Sequence, residues 1–205
     1  MDPIIELRDN AGRLIRSNDN WRSDQQQEIQ VTGLAPSDDR ESAIVLTLVP
    51  DTYTVILRGT NNTTGIGLIE VYDVSPTSGS ELGNLSVRAN VLTGDNILID
   101  GLILRGGTPK RVLFRAIGPE LNGVLPNALQ DPTMELHGEN GALILSNDNW
   151  RDAPNASEIQ ATGLAPKDDR ESAILTTLPP ANYTTIVRGK NNTTGIALNE
   201  AYKLQ

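Results

Sequence analysis

Two short runs rich in side-chain oxygens are the residues of this sequence best suited to chemistry. Asn18, Asp19 and Asn20 stand before a Trp-Arg pair, and the same five residues return at 147–151. Carboxylate and amide oxygens are the ligands that Ca²⁺ prefers, and a second acidic loop at 38–41, repeated at 168–171, could complete a shell of about six or seven oxygens. The candidate calcium ligands are Asn18, Asp19, Asn20, Asp38, Asp39, Asn147, Asp148, Asn149, Asp168 and Asp169.

The same residues have a purely structural interpretation. Their spacing is not that of an EF-hand loop, and Asn and Asp also stabilise turns by bonding to their own backbone. Calcium binding and turn formation both stay open at this point. No cofactor is required by the sequence, and Ca²⁺ is the one ion that it suggests.

Trp21 and Trp150 carry a second pair of alternatives. Each indole could be an exposed platform on which a sugar ring stacks, or a plug in the core or rim of its unit. Aromatic residues are scarce, and six of the seven occupy matched positions in the two halves of the chain. Matched placement fits either role, and a polysaccharide is therefore one candidate partner.

Catalysis finds no support in the residues. His137 is the single histidine, and Arg8 stands at its position in the other half of the chain. Ser42 and Ser172 lie in Glu-Ser-Ala-Ile and lack the glycines of a nucleophile elbow. No Ser–His–Asp triad can therefore be assembled twice, and we predict a protein that is not an enzyme, with no catalytic residues.

Composition limits the class of partner. The formal charge of −9 is distributed as −6 over residues 1–75, +1 over 76–130 and −4 over 131–205. An acidic surface repels phosphates, so nucleic acid is not expected as a partner. The sequence has no cysteine and no apolar run of membrane-spanning length, so disulfides and membrane insertion are excluded. The acidic–neutral–acidic alternation either suits head-to-tail contacts between unlike surfaces or is ordinary solubility charge. We expect self-association with neighbouring copies.

A long internal repeat organises the chain. Residues 2–72 return as 131–202, and between 28–72 and 158–202 there are 32 identities in 45 pairs. The offset is 129 up to the tryptophan and 130 from Glu28 onward. Such a period takes precedence over any local motif in the choice of fold.

Hydrophobic alternation and turn residues predict strands nearly everywhere. Within the first copy we expect strands at 3–8, 13–16, 42–48, 53–58 and 66–72, with a loop or one helical turn at 23–30. The middle stretch adds strands at 82–91, 96–104 and 110–117, after a linker-like segment at 75–80. The predicted fold class is all-β, with antiparallel jelly-roll-like β-sandwich repeats and little or no helix.

Strand counting favours an unequal division of the chain. One copy supplies five short strands, whereas a sandwich needs about seven or more. We therefore divide the chain into a first copy, 1–75, a β-rich stretch that occurs once, 76–130, and a second copy, 131–205. The stretch at 76–130 would supply the leading strands of the second sandwich. The first copy would then be the later part of a repeat whose leading strands lie outside this sequence. The alternative is that each copy folds alone, with the middle stretch as a small third domain.

Several motifs resemble a known repeat. The runs 131–137, 141–144, 146–150 and 183–189, with Arg-Ala-Ile-Gly-Pro at 115–119 leading in, are similar to repeats of large bacterial secreted and cell-surface proteins. The order of motifs more distantly resembles bacterial pre-peptidase C-terminal domains, which are jelly-roll-like β-sandwiches attached to secreted enzymes. Where that family has a glycine before the tyrosine strand, this chain has Asp51-Thr52 and Ala181-Asn182, so the turn there is expected to differ.

The resemblance implies an extracellular or cell-surface location, with any leader lying outside this sequence. It favours a structural module, such as a spacer, adhesin stalk or fibre-forming repeat that joins head to tail by strand complementation. The alternative is a carbohydrate- or calcium-dependent accessory domain of a secreted hydrolase.

Overall fold

A computed structural model describes residues 2–75 and 82–204 of the chain. The chain divides into two compact units, Met1–Glu81 and Leu82–Gln205. Both are built from antiparallel sheets, which confirms the predicted all-β class. Of the linker-like segment predicted at 75–80, residues 76–80 lie outside the described part.

The first unit contains one three-stranded sheet. Its elements are β1 (Pro3–Arg8), β2 (Leu14–Asn18), α1 (Gln26–Val31) and β3 (Thr54–Gly59), and the strand order is β2-β1-β3. The β1–β2 hairpin turns at Gly12, whose φ of 77° favours glycine. The side chain of Asp9 accepts hydrogen bonds from the backbone N–H groups of Ala11 and Arg13 and so fixes this turn.

The second unit is a complete two-sheet sandwich. Its elements are β4 (Asn84–Val91), β5 (Leu98–Ile103), β6 (Lys110–Ile117), β7 (Pro132–His137), β8 (Leu143–Asn147), α2 (Ala156–Ala161), β9 (Ser172–Leu178), β10 (Asn182–Gly189) and β11 (Gly195–Leu204). One sheet has the order β5-β10-β7-β8, and the other has the order β4-β11-β6-β9. Phe114 of one sheet and Met134, Leu136 and Val187 of the other lie in one buried cluster between them.

Strands of the once-only stretch and of the second copy alternate in the second sheet. β11 lies between β4 and β6, and β6 lies between β11 and β9. In the other sheet, β5 pairs with β10 at the edge. Every strand of the once-only stretch therefore forms hydrogen bonds with a strand of the second copy.

Two strands predicted in the first copy are wrong. Residues 42–48 and 66–72 were expected to be strands, and the structure has no strand there. Their counterparts in the second copy form β9 and β11, which pair with β4 and β6. The first unit, as described, holds no counterpart of β4 or β6. Because a strand needs a neighbouring strand for its backbone hydrogen bonds, the same residues form no strand there.

The prediction of little or no helix holds for all but short segments. α1 and α2 have six residues each and occupy matched places in the two copies. Each buries one apolar side chain, Ile29 in α1 and Ile159 in α2. Among the described residues, no helix is long and apolar enough to cross a membrane.

Gly118, which follows β6, provides a first test of the second unit. A Cβ atom at Gly118 would lie 2.0 Å from the backbone oxygen of Leu129. We expect Gly118→Ala to lower the free energy of unfolding of this unit by about 1–3 kcal/mol, because backbone atoms would have to move. The measurement is urea unfolding followed by Trp150 fluorescence, with Trp21 replaced by phenylalanine. Gly123→Ala is the control, since nothing lies within 4 Å of a Cβ there. Equal effects of the two changes would contradict this packing.

Candidate functional site

Two segments of the first unit form the candidate site, and we call them the acceptor segments: residues 42–48 and 65–74. They match β9 and β11 in sequence, yet their side chains are far more exposed. Ile66 and Leu68 are 85% and 80% exposed, whereas their counterparts in β11 are half-buried. Val71 is 47% exposed, whereas its counterpart Ala201 is 4% exposed. Exposed apolar side chains and a backbone without strand partners are the features of a surface that can add strands.

The second unit shows what such segments bind when strands are present. Arg115 of β6 forms an ion pair with Glu200 of β11 and donates a hydrogen bond of 2.6 Å to the carbonyl oxygen of Leu164. Its guanidinium also lies over the ring of Tyr202, 5.0 Å from the centroid. The side chains of Arg115 and Glu200 are 16% and 7% exposed, so this is a buried, charge-assisted contact.

The first unit has counterparts of the two side chains that accept hydrogen bonds from Arg115 in this contact. Glu70 and Tyr72 stand at the positions of Glu200 and Tyr202, and the hydroxyl of Tyr72 donates to Glu70 over 2.8 Å. The matching bond from Tyr202 to Glu200 is 2.7 Å long. Two acceptors for an arginine are thus already arranged, while Glu70 is exposed.

A buried carboxylate forms the other specific contact of the second unit. Glu171, immediately before β9, accepts hydrogen bonds from the backbone N–H groups of Gly118 and Glu120, at 3.0 and 2.9 Å. It thereby ties the turn after β6 to β9. Its counterpart Glu41 is exposed and accepts a bond of 3.3 Å from the N–H of Asp38.

The burial of Glu171 gives the second unit a pH dependence. Burial, together with a hydrogen bond to the carboxyl of Glu120, raises the pKa of Glu171 from 4.5 to about 7. Burial also raises the pKa of Asp100 from 3.8 to about 6. Each of these carboxyl groups loses its proton at a lower pH in the unfolded chain than in the folded unit. Its contribution to the free energy of unfolding is therefore fully present below the unfolded pKa and is lost as the pH rises through the folded pKa.

We therefore expect the free energy of unfolding of the second unit to fall by several kcal/mol between pH 4.5 and pH 7.5. Glu171→Gln should flatten most of this slope, because a neutral amide oxygen can still accept from Gly118 and Glu120. Asp100→Asn should remove the part that ends near pH 6. The measurement is urea unfolding across this pH range by Trp150 fluorescence. An unchanged slope in Glu171→Gln would show that this carboxyl does not carry the effect.

The oxygen-rich tripeptides make turn contacts in both copies. Asn147 donates to the carbonyl oxygen of Asn149 and accepts from the N–H of Ala173, at 3.0 and 2.9 Å. Asn18 makes the same two bonds to Asn20 and Ala43, at 3.2 and 3.0 Å. In both copies this asparagine side chain therefore connects its own loop to the segment that begins with Ser-Ala-Ile, which is β9 in the second unit.

The acidic candidates for calcium binding pair with basic side chains. Asp38 binds Arg40 and Asp168 binds Arg170, which holds the pKa of both carboxyl groups below their usual range. Asp39 and Asp169 pair with Arg22 and Arg151. Asp148 lies 2.8 Å from the ammonium of Lys190, whereas Asp19 accepts a hydrogen bond from Thr60. Within residues 2–75 and 82–204, no group of three or more His, Cys, Asp and Glu side chains is close enough to hold a metal ion. Calcium binding stays a prediction.

Both tryptophans are buried. Trp21 is 2% and Trp150 is 1% exposed, and the guanidinium groups of Arg22 and Arg151 lie over their rings at 4.5 and 4.3 Å. Trp150 packs with Leu113, Ile159, Ala173 and Leu175 and donates its indole N–H to the carbonyl oxygen of Asp168. Of the two roles considered for these residues, this geometry fits packing, since a stacked sugar needs an open ring face.

Some residues that matter in the structure were not identified from the sequence. Arg115 and Glu200 lie far apart in the chain, and Arg115 has no second copy whose recurrence could draw attention to it. Ser172 was considered only as a nucleophile, yet its buried hydroxyl lies 2.8–3.0 Å from the carbonyl oxygens of Pro132, Asn147 and Asp148. The one available signal was the recurrence of Glu-Ser-Ala-Ile in both copies.

Comparison with solved structures finds a distant likeness. No family model and no curated protein matches the chain. Among solved structures, it is similar to the pre-peptidase C-terminal domain of a collagenase from Bacillus anthracis, with 12% identity and a TM-score of 0.36. The match covers 58% of this chain and 88% of that chain. A likeness of this degree is no basis for transferring an activity.

Proposed function

We propose that this chain is a non-catalytic structural and interaction module of a long bacterial extracellular protein. It acts as a spacer, stalk or fibre-forming repeat, and its first unit joins neighbouring repeats by accepting strands. One observation carries the proposal: the acceptor segments share 10 of 17 residues with their counterparts in β9 and β11, yet they form no strand and are more exposed. Apolar segments without strand partners are templates for association, which folds normally avoid or cover.

Charge supports contact between unlike surfaces of neighbouring repeats. The first unit is acidic, whereas residues 76–130 carry a net charge of +1. Arg115 of that stretch already binds an acidic β11 strand in the second unit. A repeat that presents basic strands to an acidic acceptor lowers like-charge repulsion at the contact.

The test is light scattering of the whole chain over a wide concentration range. We expect the mean mass to rise with concentration and to fall back to the monomer in the double variant Ile66→Lys, Leu68→Lys. Val31→Lys is the matched control, because Val31 is 88% exposed but lies on α1, outside the acceptor segments. A chain that stays monomeric at the highest concentration would overturn self-association.

A second candidate function is that of a calcium-dependent accessory domain. It is favoured by Lys190, whose ammonium lies 2.8 Å from Asp148 and 3.8 Å from Asp131, as a bound cation would. In the first unit the uncharged Thr60 stands at that position, next to Asp19. Calorimetric titration with Ca²⁺ tests this function. Heat that disappears in Asp19→Asn would support it, and no heat in the unmodified chain would remove it.

A further inference from the structure

The once-only stretch supplies three strands, each of which completes a different part of the second unit. β4 pairs with β11 through eight residue pairs, β5 pairs with β10 through six, and β6 pairs with both β11 and β9. The second copy alone would therefore leave β9, β10 and β11 with open edges. Residues 82–130 act as one partner for all three strands.

The first unit presents the same three positions without that partner. β3 matches β10, and the acceptor segments match β9 and β11. In residues 2–75, β3 pairs only with β1, and the acceptor segments pair with no strand. Residues 82–130 thus cover three strand edges in the second unit, and the matching positions of the first unit have no such partner.

The contacts that would hold such a partner are also preserved. Glu70 with Tyr72 matches the site of Arg115, and Glu41 matches the carboxylate that binds the turn at Gly118. The carbonyl oxygen of Leu34 stands in for that of Leu164, to which Arg115 donates.

A paired replacement gives independent support. In the second unit Asn199 of β11 donates to Thr185 of β10 over 2.8 Å, and both side chains are buried. In the first unit Ile69 and Val55 stand at these positions, so a polar pair has become an apolar pair. A buried polar side chain needs a hydrogen-bond partner, so two side chains that pack together in a dry core are expected to change together. Ile69 is 41% exposed in the unpartnered unit.

We propose that the open face of the first unit binds a second segment of the kind formed by residues 82–130, and that this segment converts the unit into a complete sandwich. The inference rests on the proposed function and names its partner. Each chain holds one such segment and two units that need it. An additional segment would complete the first unit and leave residues 82–130 of every chain in its own second unit.

The experiment supplies that segment directly. A second copy of residues 82–130 is joined ahead of Asp2. This junction is chosen because Gln130 is followed directly by Asp131, and Asp2 is the counterpart of Asp131 in the first copy. We expect the amides of both acceptor segments to exchange with solvent about 100-fold more slowly than in the unextended chain, since they would join a cooperative core. The extended chain should also lose concentration-dependent association. Unchanged exchange of the acceptor segments would overturn the proposal.

Two variants separate specific binding from general collapse. Arg115→Met in the added segment should reverse most of the gain in protection. Glu70→Gln should weaken protection of the acceptor segments about tenfold in the extended chain, yet leave exchange unchanged in the unextended chain, where Glu70 is exposed. Protection that is insensitive to both variants would overturn the assigned contacts. Association of the unextended chain without protection in the extended one would refute this inference and leave the proposed function standing.

Discussion

Replacement of Trp150 by alanine is expected to lower the free energy of unfolding of the second unit by about 3–5 kcal/mol. Trp150 is 1% exposed and fills a cluster between α2, β6 and β9, with Leu113, Ile159 and Leu175 as neighbours. Truncation removes the apolar contacts of a large ring and leaves a cavity that short elements cannot close. The measurement is urea unfolding followed by far-ultraviolet circular dichroism, because the fluorescent residue is lost.

Two further variants control this experiment. Trp150→Phe keeps part of the ring volume and should cost less than Trp150→Ala. Trp21→Ala removes the matched residue of the first unit and should leave the unfolding of the second unit unchanged, because the Trp150 cluster contains second-unit residues. A cost of less than about 1 kcal/mol for Trp150→Ala would contradict a core role and return attention to ligand stacking.

Arg115→Met is expected to cost a similar amount, about 3–5 kcal/mol, through a different mechanism. The change keeps an apolar stem of similar length but leaves the buried carboxylate of Glu200 without its positive partner. Tyr202 and the carbonyl oxygen of Leu164 also lose a donor. Urea unfolding monitored by Trp150 fluorescence measures the loss.

The matched control is Arg111→Met on the same strand. Arg111 pairs with Glu158, but these side chains are 45% and 60% exposed, so the cost should stay below about 1 kcal/mol. The double variant Arg115→Met, Glu200→Gln should recover part of the lost stability, because it removes the unpaired charge. If Arg111→Met and Arg115→Met lower the free energy of unfolding equally, the buried Arg115–Glu200 pair contributes no more than an exposed ion pair.

These two sites connect stability with the proposed function. The Trp150 cluster and the Arg115 contact both join a strand of the once-only stretch to the second copy. The first unit holds the same tryptophan and the same Glu–Tyr pair, without a strand to join them to. A segment that supplies the missing strands could therefore form the same contacts with the tryptophan and the Glu–Tyr pair of the first unit.

Local features were predicted well from the sequence. The β1–β2 hairpin follows from its turn glycine, and most strands of the second unit follow from alternation and β-branched residues. The motif at Asn18 and Asn147 was identified, and its turn-forming alternative matches the bonds it makes. All of these depend on interactions between residues near one another in the chain, so that sequence pattern is sufficient.

Strand counting indicated that residues 76–130 add strands to the second copy, but the sequence did not show which strands pair. Residues 42–48 and 172–178 share the same start, Ser-Ala-Ile, yet the second run forms β9 and the first forms no strand. The sequence alone determined the repeat, the all-β class and the local turns. Only the tertiary structure decided which copies of the strands are formed, because a strand is stable only when another strand, distant in the chain, satisfies its backbone hydrogen bonds.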